Sequence, residues 1–96
     1  MTFDSSRPDV SVVIPTHNRL DYLKTAVASC FRDNGAVDVE VVVVNDGSND
    51  GTRSYLDELE NPRVRPLHQP QQGAQAARNK GLNAASGRYV KFLDDD

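Results

Sequence analysis

Apolar positions along this chain switch between an unbroken or two-residue rhythm and a helical one. Val10 to Ile14 (VSVVI) is β-branched and almost wholly apolar, as in a strand covered on both faces, and Pro15 is expected to end it. Asn18 is placed to cap a helix with Asp21 in its first turn. Leu20, Leu23, Val27 and Cys30, helped by Ala26 and Phe31, then recur at helical spacing and form one buried face. Val39 to Asp46 (VEVVVVND) is the most strand-like segment and predicts a central parallel strand that breaks into turn residues at DGSNDGT. Thr52 to Glu60 predicts a short helix with Tyr55, Leu56 and Leu59 on one side, stopped before Pro62. Arg63 to His68 reads as an edge strand, since Pro66 has no N–H to give a ladder. QGAQAARNKGLNAAS puts Ala74, Ala77, Gly81, Leu82 and Ala85 on one helical stripe, with Gly87 as the stop. Arg88 to Leu93 is the last strand, expected to be buried, with Tyr89, Lys91 and Leu93 facing one way and Val90 and Phe92 the other.

Strand and helix therefore alternate, with connections too long for hairpins. The pattern predicts an α/β fold, a doubly wound and mostly parallel sheet with helices on both faces and right-handed crossovers. Residues 1–9 lack apolar periodicity and read as a flexible leader, and residues 10–96 as one folded unit. A length of 96 residues allows a single domain. Eleven Lys and Arg against fourteen Asp and Glu, a net charge of −3, leave no basic excess for a phosphate backbone and exclude nucleic acid as a partner. The single cysteine, Cys30, cannot form an internal disulfide and suits a cytoplasmic setting; it reads as a small buried hydrophobe. No signal-peptide core precedes the first strand, and no window reaches the roughly 20 apolar residues of a transmembrane segment.

In such sheets ligands bind beyond the carboxyl ends of the strands, where the winding reverses. Three polar segments sit there: PTHNR (Pro15 to Arg19), NDGSNDGT (Asn45 to Thr52) and the acidic run Asp94 to Asp96. All three are expected to converge on one crevice. Each also has a plainer reading: Asp46 as a turn former before Gly47, Asp50 as a helix cap, the acidic run as a solvated tail. Like charges ~4 Å apart repel by roughly 4 kcal/mol at an effective dielectric of 20, so something positive should offset the carboxylates. A hard divalent cation, Mn²⁺ or Mg²⁺, fits oxygen ligands and is often completed by substrate phosphates, which points to a phosphorylated ligand. Arg78, beside the small-residue stripe, is placed to reach the same crevice or else is a surface arginine. The helix start at Gly73 and Ala74 favours an anion. His17 and His68 lack metal-ligand spacing, so no zinc site is read.

Taken in order, VSVVIPTHNR, VEVVVVNDGSNDGT and QGAQAARNKGLNAASGRYVKFLDDD resemble the N-terminal half of the family 2 glycosyltransferases, which have the GT-A fold, over Val10 to Asp96. The resemblance implies that Pro15, Thr16 and Asn18 belong to the loop lining a nucleoside, with His17 packing near the base. It implies that Asp46 accepts the base N3–H, usually of uracil, with Gly47 beside it, and that Arg78 approaches the base or the phosphates. The acidic run would be the family's D-x-D element, with Asp94 and Asp95 near the ribose and diphosphate and Asp96, together with Asp94, on the metal. Gln71 departs from the asparagine the family often has there. The implied activity is inverting transfer from a UDP-linked or other nucleotide diphosphate sugar to an acceptor hydroxyl, as in polysaccharide biosynthesis, with Mn²⁺ or Mg²⁺ as cofactor. The general base and the half that binds an acceptor saccharide are expected beyond Asp96, so the chain reads as truncated and inactive alone, its parent cytoplasmic or at the cytoplasmic membrane face. The alternative is a non-catalytic nucleotide-binding module of the same fold. A phosphoacceptor signalling domain would need an acidic pair after the first strand, which VSVVIPTHNR lacks.

Overall fold

The computed structural model describes residues 7–32 and 37–94. Seven elements follow in order: β1 (Val10–Thr16), α1 (Leu20–Ser29), β2 (Val39–Asp46), α2 (Thr52–Glu58), β3 (Val64–Gln69), α3 (Ala74–Ala84) and β4 (Tyr89–Phe92). The four strands form one sheet in the order β3-β2-β1-β4, and every neighbouring pair is parallel. This is the expected α/β architecture. Among the described residues no helix is long and apolar enough to cross a membrane.

The valine run explains the layering. Val41 and Val43 join Val12, Ile14, Leu23, Val27 and Leu56 under α1 and α2, whereas Val42 and Val44 join Val13 and Ala77 under α3. Because successive side chains point to opposite faces, a strand covered on both sides must be apolar at every position. Full burial of each such valine contributes roughly 2 kcal/mol. The chain steps from β1 to β3 in one direction with α1 and α2 on one face. It then crosses by α3 on the other face to lay β4 against the free side of β1. On α3 the buried positions are Ala77 and Gly81, and a methyl at Gly81 would collide with Val13, so the helix backbone lies directly on the sheet.

Several local expectations are corrected. Pro15 does not end β1, which runs on to Thr16 with Pro15 opposite Val44. Val13 gives its carbonyl to Leu93 on the β4 side, and by the two-residue repeat Pro15 has its nitrogen on that side too, beyond the last ladder pair Val13–Phe92. No ladder bond is lost there. Asn18 does not cap α1: it adopts a left-handed φ of 52°, and Asp50 accepts the Leu20 N–H at 3.1 Å in its place. The same carboxylate takes the Thr52 N–H at 3.2 Å, so one aspartate serves the starts of α1 and α2. Helix α2 stops at Glu58, two residues early. Leu82 is 47% exposed and leaves the α3 stripe. Gly87 is not the stop of α3, which ends at Ala84 with Ala85 already extended. Finally, β4 is exposed rather than buried, with Tyr89 at 73% and Phe92 at 45%, because it pairs with β1 alone and forms an edge. Of the expected leader, residues 1–6 lie outside the described residues. Within the remainder, Pro8 and Asp9 give their carbonyls to the Arg88 and Tyr89 N–H groups at 3.1 and 3.0 Å.

At the amino end of the sheet a buried carboxylate ties four segments together. Glu40 on β2 accepts from Ser11 Oγ of β1 at 2.6 Å, Arg65 of β3 at 2.9 Å and the Ser86 N–H at 3.1 Å. Ser11 Oγ in turn accepts the Gly87 N–H at 2.8 Å, and a Cβ at Gly87 would lie 2.6 Å from the Ser11 nitrogen, so only glycine allows this approach. Burial alone would raise the Glu40 pKa, but the donors outweigh it and bring it from 4.5 down to about 2. A drop of that size corresponds to roughly 3 kcal/mol of stability held at neutral pH. Because the folded pKa lies below the unfolded one, this contribution is complete above 4.5 and disappears as pH falls from there toward 2. Glu40→Gln should therefore unfold at lower urea concentration at pH 7 and lose less stability than wild type between pH 5 and pH 3. Equal urea midpoints at pH 7 would remove Glu40 from this role.

Candidate functional site

Between β1 and β4 the winding reverses, and the carboxyl ends of the strands open there into a crevice of about 350 Å³. Its floor is Pro15, Thr16 and His17 at the end of β1, with Asp46 from the end of β2. One wall is the first turns of α3, where Ala74 and Ala77 leave room and Arg78 projects. Asp94, just past β4, closes the mouth.

Asp46 organises this end of the sheet. It is 5% exposed, and its Oδ1 accepts from Gln69 Nε2 at 2.8 Å and from the Gln72 N–H at 2.7 Å. Oδ2 accepts the Gly73 N–H at 3.0 Å, at the start of α3. Burial pushes its pKa up, yet these donors and the neighbouring His17 ring hold it below the usual carboxylate value. The group is thus an anion fixed by its own chain. Each carboxylate oxygen has two acceptor positions, so among the described residues Oδ1 is filled and Oδ2 takes one donor.

Next to it two loops are laced together. The His17 Nδ1 contacts the Asp46 carbonyl at 2.6 Å, and since a carbonyl only accepts, Nδ1 carries the proton and donates. Asn18 takes the Asn49 N–H at 2.7 Å through Oδ1 and gives its own N–H to Ser48 Oγ at 2.9 Å. With the Asp50–Leu20 bond, the loop after β1 is fixed against the loop after β2. Gly47 has φ of 70°, and a Cβ there would lie 2.7 Å from the Gln71 nitrogen, so the loop entering α3 packs on its bare backbone.

Arg78 reaches across the mouth to Asp94 Oδ1 at 3.4 Å, with both side chains substantially exposed. Of the two described carboxylates at the crevice, Asp46 is engaged by N–H donors, whereas Asp94 is exposed and makes one long contact, through Oδ1, to Arg78. The chemistry of Asp94 fits a hard divalent cation that takes one or two carboxylates and completes its shell with phosphate oxygens. Among the described residues no group of three His, Cys, Asp or Glu is gathered as a metal cluster.

The fold thus brings together Pro15, Thr16, His17, Asp46, Arg78 and Asp94 of the expected site residues. Asn18 and Gly47 do not line the crevice; the first braces its floor and the second seats its wall. Asp95 and Asp96, expected at the diphosphate and the metal, lie outside the described residues. Beyond Asp46, the NDGSNDGT segment turns away to hold the β1 loop rather than converging on the crevice. Arg19 and Ala77 line it as well, without having been singled out as ligand groups. For Arg19 the available signal was a cation at the end of a strand-end segment.

The model of the glycosyl transferase family 2 matches residues 11–96, and the chain belongs to that family. It is 41% identical over 93 residues to TuaG of Bacillus subtilis strain 168, named for teichuronic acid biosynthesis; the match covers 94% of this chain and 36% of TuaG. It is 38% identical over 91 residues to the chondroitin synthase of Pasteurella multocida strain Pm70, covering 93% of this chain and 9% of the synthase. Among solved structures, the mannosyltransferase PcManGT of Pyrobaculum calidifontis, in complex with GDP-Man and Mn²⁺, superposes with a TM-score of 0.80 at 28% identity, over 96% of this chain and 28% of that one. S. aureus TarS 1-349 in complex with UDP-GlcNAc gives 0.79 at 29% identity, over 92% and 26%. The chain spans about a third or less of the length of these relatives, and its sheet is of the GT-A type found in the structural neighbours.

Asp46→Asn should cost about 1–3 kcal/mol, because the amide turns an N–H₂ toward a buried N–H donor. Urea denaturation without any ligand checks this, and an unchanged midpoint would show that the loop before α3 is held by other contacts.

Proposed function

We propose that the chain is the nucleotide-sugar-binding half of a metal-dependent glycosyltransferase that carries out inverting transfer from a UDP-linked sugar to an acceptor hydroxyl. The observation that carries this reading is the crevice at the winding reversal of a family 2 chain, with a fixed carboxylate at its floor and an Arg78–Asp94 pair at its mouth. Complexes of GDP-Man with Mn²⁺ and of UDP-GlcNAc in the structural neighbours support it.

The residues divide the work by chemistry. Among the described residues, Asp46 keeps one acceptor position on Oδ2, suited to the N3–H of uracil, while Pro15, Thr16 and His17 form the surface on which the nucleoside rests. Arg78 is a forked donor on a helix whose N-terminus also favours anions, and so suits the diphosphate. Asp94, with Asp95 and Asp96 following in sequence, would hold Mn²⁺ or Mg²⁺, which supplies charge neutralisation to a departing diphosphate. Arg78 and Asp94 oppose each other across the mouth in a weak contact, so that with donor and cation bound Arg78 would face the phosphates and Asp94 would hold the cation. Deprotonation of the acceptor hydroxyl and recognition of an acceptor saccharide belong to residues outside this chain.

Binding of UDP with Mn²⁺ should be measurable by calorimetry, and Arg78→Ala and Asp94→Ala should each weaken it by roughly tenfold or more, the usual scale for losing a charge-assisted contact. With Mg²⁺ for NMR, the amides of Thr16, His17 and residues 74–78 should shift. Full affinity in both variants, or shifts confined to the other end of the sheet, would sink the assignment.

A further inference from the structure

A second polar chain runs into the site from behind. Asp57 on α2, His68 on β3 and Asn45 at the end of β2 form a continuous relay. His68 Nε2 lies 2.9 Å from Asp57 Oδ1, and its Nδ1 lies 3.1 Å from Asn45 Nδ2. Asn45 is 3% exposed and its Oδ1 accepts the Ser48 N–H at 3.0 Å. The next link is Ser48 Oγ, which accepts the Asn18 N–H beside His17 on the crevice floor. The charged groups facing the ring are Asp57 and, lining the same depression, Arg53, both from α2; Arg53 lies 3.7 Å from the other oxygen of Asp57. From β2 the ring meets only the neutral amide of Asn45.

We propose that His68 is a positioning residue for the donor crevice, holding the Asn45–Ser48 turn closed only while its ring is neutral. The proposal rests on the reading of that crevice as a nucleotide-sugar site. The neutral ring gives its Nε2–H to Asp57 and offers the Nδ1 lone pair to Asn45. That fixes the amide with its NH₂ toward His68 and its oxygen toward Ser48. A proton added to Nδ1 would face the Asn45 NH₂, donor against donor. The amide can relieve this only by turning over, which withdraws its oxygen from the Ser48 N–H and sets its NH₂ against it. The turn that braces Asn18 and the β1 loop is then released. Protonation of a ring on β3 thus loosens the crevice floor without touching the ligand.

The test is UDP–Mg²⁺ affinity of the protein at pH 7.5 and pH 5.5 in wild type, His68→Asn and Asn45→Asp, with the Ser48 amide followed by NMR over the same range. His68→Asn supplies an oxygen acceptor near the Nδ1 position that does not titrate in this range. Asn45→Asp keeps one oxygen for Ser48 and turns the other into an acceptor for a protonated Nδ1. The UDP phosphate titrates alike in all three measurements, so differences between the proteins belong to the relay. Wild type is expected to lose affinity several-fold more than His68→Asn on acidification, and Asn45→Asp to lose no more than His68→Asn. Superimposable profiles for wild type and His68→Asn overturn the proposal, as does an acid-sensitive Asn45→Asp. Should UDP bind none of the three at either pH, the donor reading falls and the Ser48 amide decides. A shift that follows the His68 ring in wild type and is absent in His68→Asn upholds the relay, and a stationary Ser48 amide in wild type ends it.

Discussion

Three N–H groups converge on the carboxylate of Asp46, and the crevice owes its shape to that convergence. A buried carboxylate without a cationic partner is costly unless its lone pairs are filled, and here the donors come from Gln69, Gln72 and Gly73. By satisfying itself the carboxylate pulls the β3–α3 connection over the end of β2 and sets the first residue of α3. Gly47 makes the closure feasible, since its left-handed backbone leaves no Cβ where Gln71 must lie. The start of a helix favours a negative charge, so the same contact that seats α3 also stabilises the ionised state. The positions of Ala74, Ala77 and Arg78 follow from it.

Strand β2 carries a buried carboxylate at each end, and the two differ in a way that separates support from function. At the amino end, Glu40 has a cation, Arg65, together with Ser11 and Ser86, and both its oxygens are occupied. At the carboxyl end, among the described residues Asp46 has no arginine or lysine among its hydrogen-bond donors, and Oδ2 takes only one donor. A saturated, ion-paired carboxylate stitches strands together; one held by neutral donors keeps its charge and one lone pair available at the bottom of a cleft.

Much of this was legible in the sequence, for definite reasons. The uninterrupted Val41–Val44 run has no solvent face, so a strand covered on both sides is its natural setting, and the alternation of elements around it leaves a parallel sheet. Which end of the sheet carries the crevice follows from topology, which is why the strand-end residues Pro15, Thr16, His17, Asp46 and Asp94 line it together, with Arg78 reaching it from α3. What escaped were the contacts between segments distant in sequence, 30 residues apart for Leu20 and Asp50 and 76 for Ser11 and Gly87. Asn18 looked like a helix cap because its neighbours in sequence fit one, but Asp50 reaches in from the next loop and takes the position. Gly87 looked like a helix stop, whereas its value is the close approach to Ser11. The exposure of β4 was missed because an alternating apolar pattern shows that a strand exists without showing what lies against it.

That last strand raises the question of what fixes the register of Asp94, since β4 leans on β1 alone. A slip of one residue would turn Asp94 to the opposite face, and a slip of two would move it by roughly 7 Å. Contacts at both ends prevent this, beside the Arg88 and Tyr89 bonds to Pro8 and Asp9. The Leu93 N–H bonds to Val13 at the working end. At the other end Gly87 sits against Ser11, which shares its hydrogen bonds with Glu40. Because glycine is required there and the partner is buried, the starting point of β4 is set by the Glu40 cluster, and the length of the strand delivers Asp94 to the crevice mouth about 20 Å away. The carboxylate that stabilises the amino end of the sheet therefore also aligns the acidic residue at its carboxyl end. Positioning at the candidate site is in this sense a property of the whole sheet, transmitted through one short strand whose own side chains contribute little to the core.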